Sequence, residues 1–507
     1  MIRTVLAGLR SAGASEPPWA SWTTSAATSV VVATGLFSLL STTSGLADML
    51  GNGDDTVLLL TIGGLAGLAA TLLLSRIRPA ERIRDADVLG GATFCLLLLV
   101  GMVAVLHLLV GTTGSVVDAV TDATAGLTTT ALGAVTPDSA DHGGRFLRAG
   151  SQWIGGLGAL MVAVAVLPFF GAEREFADRS RLHGRRPMVP NQRTAARNIL
   201  YVHGAVSLGT WAGYTLAGLG VFDALLVAMA TASTGGMVDG DPFTDAAVQW
   251  VAVVGMAVTG TSLVVLWRLV VGRSRGLLRS TELRSYLGLL VVGTGLLLLW
   301  TDGSGPDGIR RAAFTVTAAL TTTGFPSAPA GTWAAAAPVL LLGLVSIGPM
   351  TGSAGGGFQI LRHRALLQIA LREMVRQLHP RVVSKVRLGG RVASESTLSR
   401  IVVIQFLVVS VLFATATVVA ALGLDLATAL GVAVHAISTG GPVRALDGSL
   451  LDPTDWSAPV RLAILPAMVI GRLSIYPAMV AASSAISVVR HRARLGRRIR
   501  AFRRRTG

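Results

Sequence analysis

The chain has 507 residues, 51% of them hydrophobic and only 14% charged, with a mean hydropathy of +0.63. A soluble protein carries about a quarter charged residues, which excludes a water-soluble enzyme as the organising idea. The net charge of +16 is strongly basic, yet its distribution argues against nucleic acid: arginines crowd one set of connections and aspartates the other. The lone cysteine, Cys95, excludes an intrachain disulfide or a cysteine-built metal cluster.

Apolar runs near twenty residues recur, the length that crosses a bilayer core of about 30 Å. The first long run begins near residue 28, behind Arg3 and Arg10, and meets a second, so no cleavable signal peptide is expected. In chain order the runs predict spans at 26–48, 56–75, 88–112, 151–171, 195–219, 246–271, 283–301, 332–349 (continuing over 358–378), 399–423 and 460–489. Ten spans put both termini on one side. The arginine-rich stretches at 75–85, 178–187, 272–284, 362–400 and 490–505 fall on that side too, and excess arginine marks the cytoplasm. The opposite connections carry Asp118, Asp122, Asp138, Asp141, Asp223, Asp239, Asp241, Asp302, Asp307, Asp425, Asp447, Asp452 and Asp455. The basic tail reads as a topology signal and lipid-headgroup anchor.

From the third span onward a period emerges: span, short apolar helix, polar turn, span. The short helices are expected at 116–127, 221–232, 309–320 and 426–437. Each has roughly twelve residues, too few to cross, so each enters the membrane and stops. A fourfold repeat of this kind builds one unit around an axis. Irregular backbone at membrane depth survives only against protein or a water-filled cavity, so the axis is expected to be a pore.

The turns align as four tetrads. Thr128, Thr129, Thr130 and Ala131 match Ser233, Thr234, Gly235 and Gly236; these match Thr321, Thr322, Thr323 and Gly324, and then Ser438, Thr439, Gly440 and Gly441. Uncharged hydroxyls and backbone carbonyls can replace the hydration shell of a monovalent cation. Glycine is expected to supply the backbone angles that cost other residues roughly 1–2 kcal/mol. The negative C-terminal end of each half-helix favours a cation, and the outer aspartates are expected to raise local cation concentration.

Two further features stand out. "GPMTGSAGGGF" (348–358) interrupts the eighth span, and Gly352, Ser353, Gly355, Gly356 and Gly357 hold a regular helix poorly. It reads either as a kink for close packing or as a flexible obstruction beneath the turns; it lacks the spacing of a phosphate-binding loop. Arg472 sits in an apolar run, where an arginine costs about 2.5–3.5 kcal/mol. Its two candidate roles are satisfying loop carbonyls and forming an electrostatic barrier. His107, His203 and His435 do not cluster and read as packed polar residues. No nucleophile elbow, nucleotide motif or paired metal-ligand spacing is present, and no enzymatic activity is expected.

The four tetrads, "QWIGGLGALMVAVAVLP" (152–168), "GPMTGSAGGGFQILR" (348–362) and "GRLSIYP" (471–477) together resemble the Trk/Ktr/HKT superfamily of potassium transporters, most nearly the bacterial Trk type. The resemblance implies an all-α membrane protein with four helix–pore loop–helix repeats around a central pore and two extra N-terminal helices. It implies potassium as the transported ion at the sixteen tetrad residues, no covalent cofactor, and gating by the glycine loop and Arg472. It further implies a homodimer in the cytoplasmic membrane with a cytosolic nucleotide-binding ring as partner, lipids around it and no nucleic acid. The corresponding division is 1–87 for the N-terminal helices, 88–171, 195–271, 283–380 and 396–490 for the repeats, and 491–507 for the basic tail. One departure is Ala131, where the family's first turn ends in glycine, or in serine in the sodium-selective branch. Alanine there requires a relaxed or strained backbone, which predicts weaker discrimination against sodium. The alternatives are a sodium-permeable or non-selective HKT-like transporter and an ion-coupled secondary transporter with broken helices.

Overall fold

A computed structural model of the chain describes residues 18–76, 85–133, 141–166, 192–272, 277, 280–300, 305–326, 334, 336–382, 384–388, 391–443 and 450–473. These hold sixteen helices and one two-stranded hairpin, Arg387–Leu388 against Arg391–Val392. The protein is an all-α membrane protein of four repeats around one axis, with an added N-terminal helix pair.

That pair is α1 (Pro18–Leu50) and α2 (Thr56–Arg76). In an apolar solvent helices gain little from burying leucine, so association falls to small residues and interhelical hydrogen bonds. Accordingly, Ser38 Oγ donates to Gly63 O at 2.7 Å and Ser41 Oγ to Leu59 O at 2.7 Å across α1 and α2. Ser29 Oγ reaches Gly91 O of the next helix at 2.8 Å.

Repeat 1 comprises α3 (Asp85–Leu109), half-helix α4 (Val116–Thr128) and α5 (His142–Val166). Repeat 2 comprises α6 (Gln192–Leu216), half-helix α7 (Val221–Ser233), α8 (Ala246–Thr259) and α9 (Leu263–Val270). Repeat 3 comprises α10 (Thr281–Leu299), half-helix α11 (Pro306–Leu320), α12 (Ala336–Ile347) and α13 (Ile360–Leu378). Repeat 4 comprises α14 (Glu395–Ala421), half-helix α15 (Leu426–Ser438) and α16 (Ala458–Leu473). Local chemistry starts the half-helices. Ser115 caps α4 through the Asp118 N–H, Asp425 caps α15 through the N–H groups of Ala427 and Thr428, and Pro306 occupies the first turn of α11.

Packing closes the ring. The helix that ends repeat 1, α5, packs on half-helix α7 of repeat 2; α8 packs on α11, α12 on α15, and α16 returns to α4. The hydrophobic clusters straddle these joints: Phe314, Ala318 and Phe325 of repeat 3 pack with Tyr214, Phe243 and Met256 of repeat 2, and Leu132 of repeat 1 packs with Val443 and Ile464 of repeat 4.

Two elements differ from the sequence expectation. The helix expected at 151 starts at His142, bringing Arg145 and Arg148 onto its first turns. The span expected over 246–271 breaks at Gly260–Thr261–Ser262 with a bend of 105°. Its freed backbone is satisfied by the glycine-rich loop: Met350 N donates to Gly260 O at 3.1 Å, and Leu263 N to Gly352 O at 2.9 Å. Among the described residues five helices are long and apolar enough to cross a membrane, six if the bent pair is one span. The helices α7, α12 and α15 are apolar but shorter than a span. The last span beyond 473, the tail 491–507, the link 178–187 and most of the link 75–85 lie outside the described residues.

Candidate functional site

Every half-helix ends in the same way. Thr129, Thr234, Thr322 and Thr439, the second residue of each tetrad, lie at φ 53°, 55°, 58° and 48°. This left-handed conformation ends a helix by letting the next N–H reach a carbonyl five residues back: Thr130 N to Ala125 O at 2.8 Å, Gly235 N to Ala230 O at 2.8 Å, Gly440 N to His435 O at 2.9 Å. In turn 3 the reach is one residue longer, Gly324 N to Ala318 O at 3.0 Å. Left-handed backbone therefore falls on threonine in every turn, in addition to the glycines at which the sequence led one to expect it. A β-branched side chain at this φ costs roughly 1–2 kcal/mol, and four such sites in equivalent places mark the kind of strain that surrounding structure enforces.

At the fourth position the turns form two pairs. Gly236 and Gly324 take φ 71° and 65°, whereas Ala131 and Gly441 are not left-handed. Alanine sits in a relaxed backbone in turn 1, and its N–H donates to Gly440 O at 3.1 Å. A Cβ placed on Gly236 would collide with Thr323 O, and one on Gly324 with Gly441 Cα. The Ala131 Cβ stands 3.2 Å from the position a Cβ would take on Gly236. Turn 1 thus meets turn 2, turn 2 meets turn 3, turn 3 meets turn 4, and turn 4 meets turn 1. All tetrad residues except Ala131 and Gly324 are buried.

Three of the first-position hydroxyls point back into their own half-helices. Thr128 Oγ1 donates to Thr124 O at 2.7 Å, Ser233 Oγ to Met229 O at 2.8 Å and Thr321 Oγ1 to Thr317 O at 2.7 Å. These three hydroxyls donate to their helices and keep their lone pairs, whereas the fourth, Ser438 Oγ, has no hydrogen-bond partner.

The glycine-rich loop between α12 and α13 lies against three turns. Thr234 Oγ1 donates to Ala354 O at 3.2 Å, Gly356 N to Thr322 Oγ1 at 2.9 Å and Gly357 N to Ser438 O at 2.8 Å. Gly348, Gly352 and Gly357 hold φ 70°, 77° and 71°. A Cβ on Gly355 would lie 2.6 Å from Thr321 O. Arg472 on α16 is buried, and its Nη1 donates to Ala354 O at 2.9 Å while Nε and Nη2 have no hydrogen-bond partner. A cavity of about 50 Å³ separates the loop, Arg472 and α5.

The chain is similar to proteins of known kind. A family profile, TrkH, described as a cation transport protein, matches residues 305–488. The Trk system potassium uptake protein TrkH of Halomonas elongata is 28% identical over 379 residues, 72% of this chain and 78% of that protein. Its Escherichia coli K12 counterpart is 29% identical over 381 residues with the same coverage. The crystal structure of the potassium transporter TrkH from Vibrio parahaemolyticus shares the fold at a TM-score of 0.82 and 22% identity, over 90% of this chain and 98% of that one. The chain is thus similar to Trk-type proteins in sequence and shares their fold.

In this chain five of the aspartates that the sequence placed in the outer connections lie against cations. Asp223 pairs with Arg145 at 2.6 Å, and Asp239 with Arg145 at 3.3 Å and Arg148 at 3.1 Å. Asp122 lies 3.5 Å from both Arg148 and His107. Asp118 pairs with Arg461, and Asp307 with Arg310 at 2.5 Å. Where these carboxylates approach the helix packing, burial is tolerable only with a partner. Asp138, Asp302 and Asp447 lie outside the described residues.

Sequence reading also missed Gln152. It grips turn 2 with both ends of its amide: Oε1 accepts from Met237 N at 3.0 Å and Nε2 donates to Met237 O at 2.9 Å. The available signal was the spacing of Arg145, Arg148 and Gln152 on one helical face, hidden because the helix was taken to start at 151. His107 Nδ1 lies 2.7 Å from Thr112 Oγ1, and His203 packs its ring 4.9 Å from Trp153. Among the described residues no three His, Cys, Asp or Glu side chains converge as metal ligands.

Proposed function

We propose that this chain conducts potassium into the cell across the cytoplasmic membrane through a channel-like path whose selective element is the ring of four turns. The observation that carries this reading is the closure of that ring: four half-helices deliver their carbonyl ends to one place, and each turn touches the next. The negative helix ends and hydroxyl lone pairs suit a cation, and relatives with the same fold are named potassium uptake proteins.

The loop at 348–359, resting on turns 2, 3 and 4, is the gate in this reading, and Arg472 is the cation held beside it. The half-helix N-termini face outside and the arginine-rich links face the cytoplasm, with both chain ends inside. A homodimer, with a cytosolic nucleotide-binding ring as regulator, is the expected assembly from the family resemblance. One observation favours reduced discrimination against sodium. Gly440 O is occupied by the Ala131 N–H, so the cage has fewer free carbonyls between turns 1 and 4 than fourfold symmetry provides.

The test is growth of cells lacking their own potassium uptake systems, with this chain supplied and sodium as control, followed by electrical recording from purified protein. Rescue by potassium, with current and no coupled proton movement, is expected. Proton-coupled uptake without current would replace the channel-like reading by a secondary transporter.

A further inference from the structure

The outer ends of turns 1 and 2 are held differently from those of turns 3 and 4. Turns 3 and 4 touch directly, Gly324 against Gly441. Turns 1 and 2 meet at Ala131 and Gly236, and their outer ends are held in addition by side chains from one face of α5. Arg148, whose side chain is 10% exposed, lies between two carboxylates. Its Nε is 3.5 Å from Asp122 Oδ1 on half-helix α4, and its Nη1 is 3.1 Å from Asp239 Oδ1 just past turn 2. The chain leaving turn 1 runs through this cluster: a Cβ on Gly133 would collide with Asp122 Oδ1 and lie 2.9 Å from Met237 Cε and 3.2 Å from Arg148 Nη2. One turn of helix deeper, Gln152 fixes Met237 by both amide atoms.

A guanidinium suits this place because Nη1 donates to Asp239 at 3.1 Å while the same delocalised charge lies 3.5 Å from Asp122, an electrostatic contact without a hydrogen bond. We infer that Arg148 is a positioning residue for ion discrimination, bridging Asp122 and Asp239 so that turns 1 and 2 keep the separation at which Ala131 replaces glycine. The inference rests on the transport reading above. Neutralising Arg148 leaves Asp122 buried without its cation and lets the turn 2 exit drift. The ring then widens on one side, and a widened ring loses selectivity before it loses conduction.

The experiment compares potassium and sodium flux in vesicles for wild type, Arg148→Gln, Arg148→Lys and Asp239→Asn, with Arg376→Gln as a control on the exposed, unrelated pair with Glu373. The potassium-to-sodium ratio is expected to fall about tenfold in Arg148→Gln and Asp239→Asn, equivalent to ~1.4 kcal/mol. It should fall less in Arg148→Lys, which keeps the charge but not its delocalisation, and stay unchanged in Arg376→Gln. If Arg148→Gln does not fold, Arg148→Gln with Asp122→Asn removes both charges, and the same fall is expected there. An unchanged ratio in the folded variants, including equal loss of both fluxes, overturns the inference. Wild-type protein that passes neither ion overturns the transport reading instead.

Discussion

Replacing Gly355 by alanine separates a gate from a kink. Gly355 is not left-handed, so alanine adopts its backbone angles freely and the effect is steric. The new Cβ would lie 2.5 Å from Pro349 Cγ, 2.6 Å from Thr321 O and 3.1 Å from Thr322 Oγ1. Two of those contacts belong to turn 3, and overpacking of this kind costs about 1–3 kcal/mol. The loop relieves it by lifting from the turns, which weakens the Gly356 N–Thr322 Oγ1 and Gly357 N–Ser438 O bonds. A bias of 1–3 kcal/mol corresponds to a roughly 5–150-fold shift between resting and lifted loop. Potassium flux into vesicles at matched protein amounts should therefore rise several-fold. Gly343→Ala on α12, where a Cβ meets nothing within 4 Å, should leave flux unchanged. Wild-type flux from well-folded Gly355→Ala protein would refute the reasoning and leave the loop as a packing kink.

Three further outcomes are expected. Arg472→Ala removes both the buried cation and the tie to Ala354 O, so unitary conductance in single-channel recording should increase; a decrease would assign Arg472 to holding the fold alone. Gly236→Ala and Gly324→Ala combine positive φ with backbone collision, so both should abolish growth on low potassium, whereas Ala131→Gly, at a position that is not left-handed, should retain it. Asp425→Ala removes the cap of α15 and should cost about 1 kcal/mol. Hydrogen bonds from Thr428, hydroxyl first and then backbone, with a further backbone bond from Ala427, hold the Asp425 carboxyl below its ordinary value. Its contribution is thus fully present at neutral pH and is lost as pH falls through and below about 4. Thermal unfolding in detergent should show a difference between wild type and variant at pH 7 that shrinks at pH 3.

The fold was legible wherever composition alone decides. An apolar run of twenty residues has one stable state in lipid, and a run of twelve ending in threonine and glycine cannot cross, so spans and half-helices could be placed from 116, 221, 309 and 426 within a few residues. The tetrads were legible for the same reason: four polar turns in an apolar chain must meet something that satisfies them. Less legible was which residue bears the strain. Sequence pointed to the glycines, and Gly236 and Gly324 do take left-handed angles, but the geometry of a helix terminated by its own carbonyls also put Thr129, Thr234, Thr322 and Thr439 there.

The sequence by itself determined the membrane class, the fourfold repeat and the four turns, because burial of apolar segments and the length needed to cross a bilayer are properties of each segment alone. Tertiary structure decided the rest: that the chain bends between α8 and α9 so its broken backbone pairs with the glycine loop, that Ala131 donates to Gly440, and that Asp118, Asp223 and Asp239 are clamped by Arg145, Arg148 and Arg461. Those outcomes depend on partners up to several hundred residues away along the chain. A freed backbone group or a buried charge takes whichever partner the closed ring brings within reach.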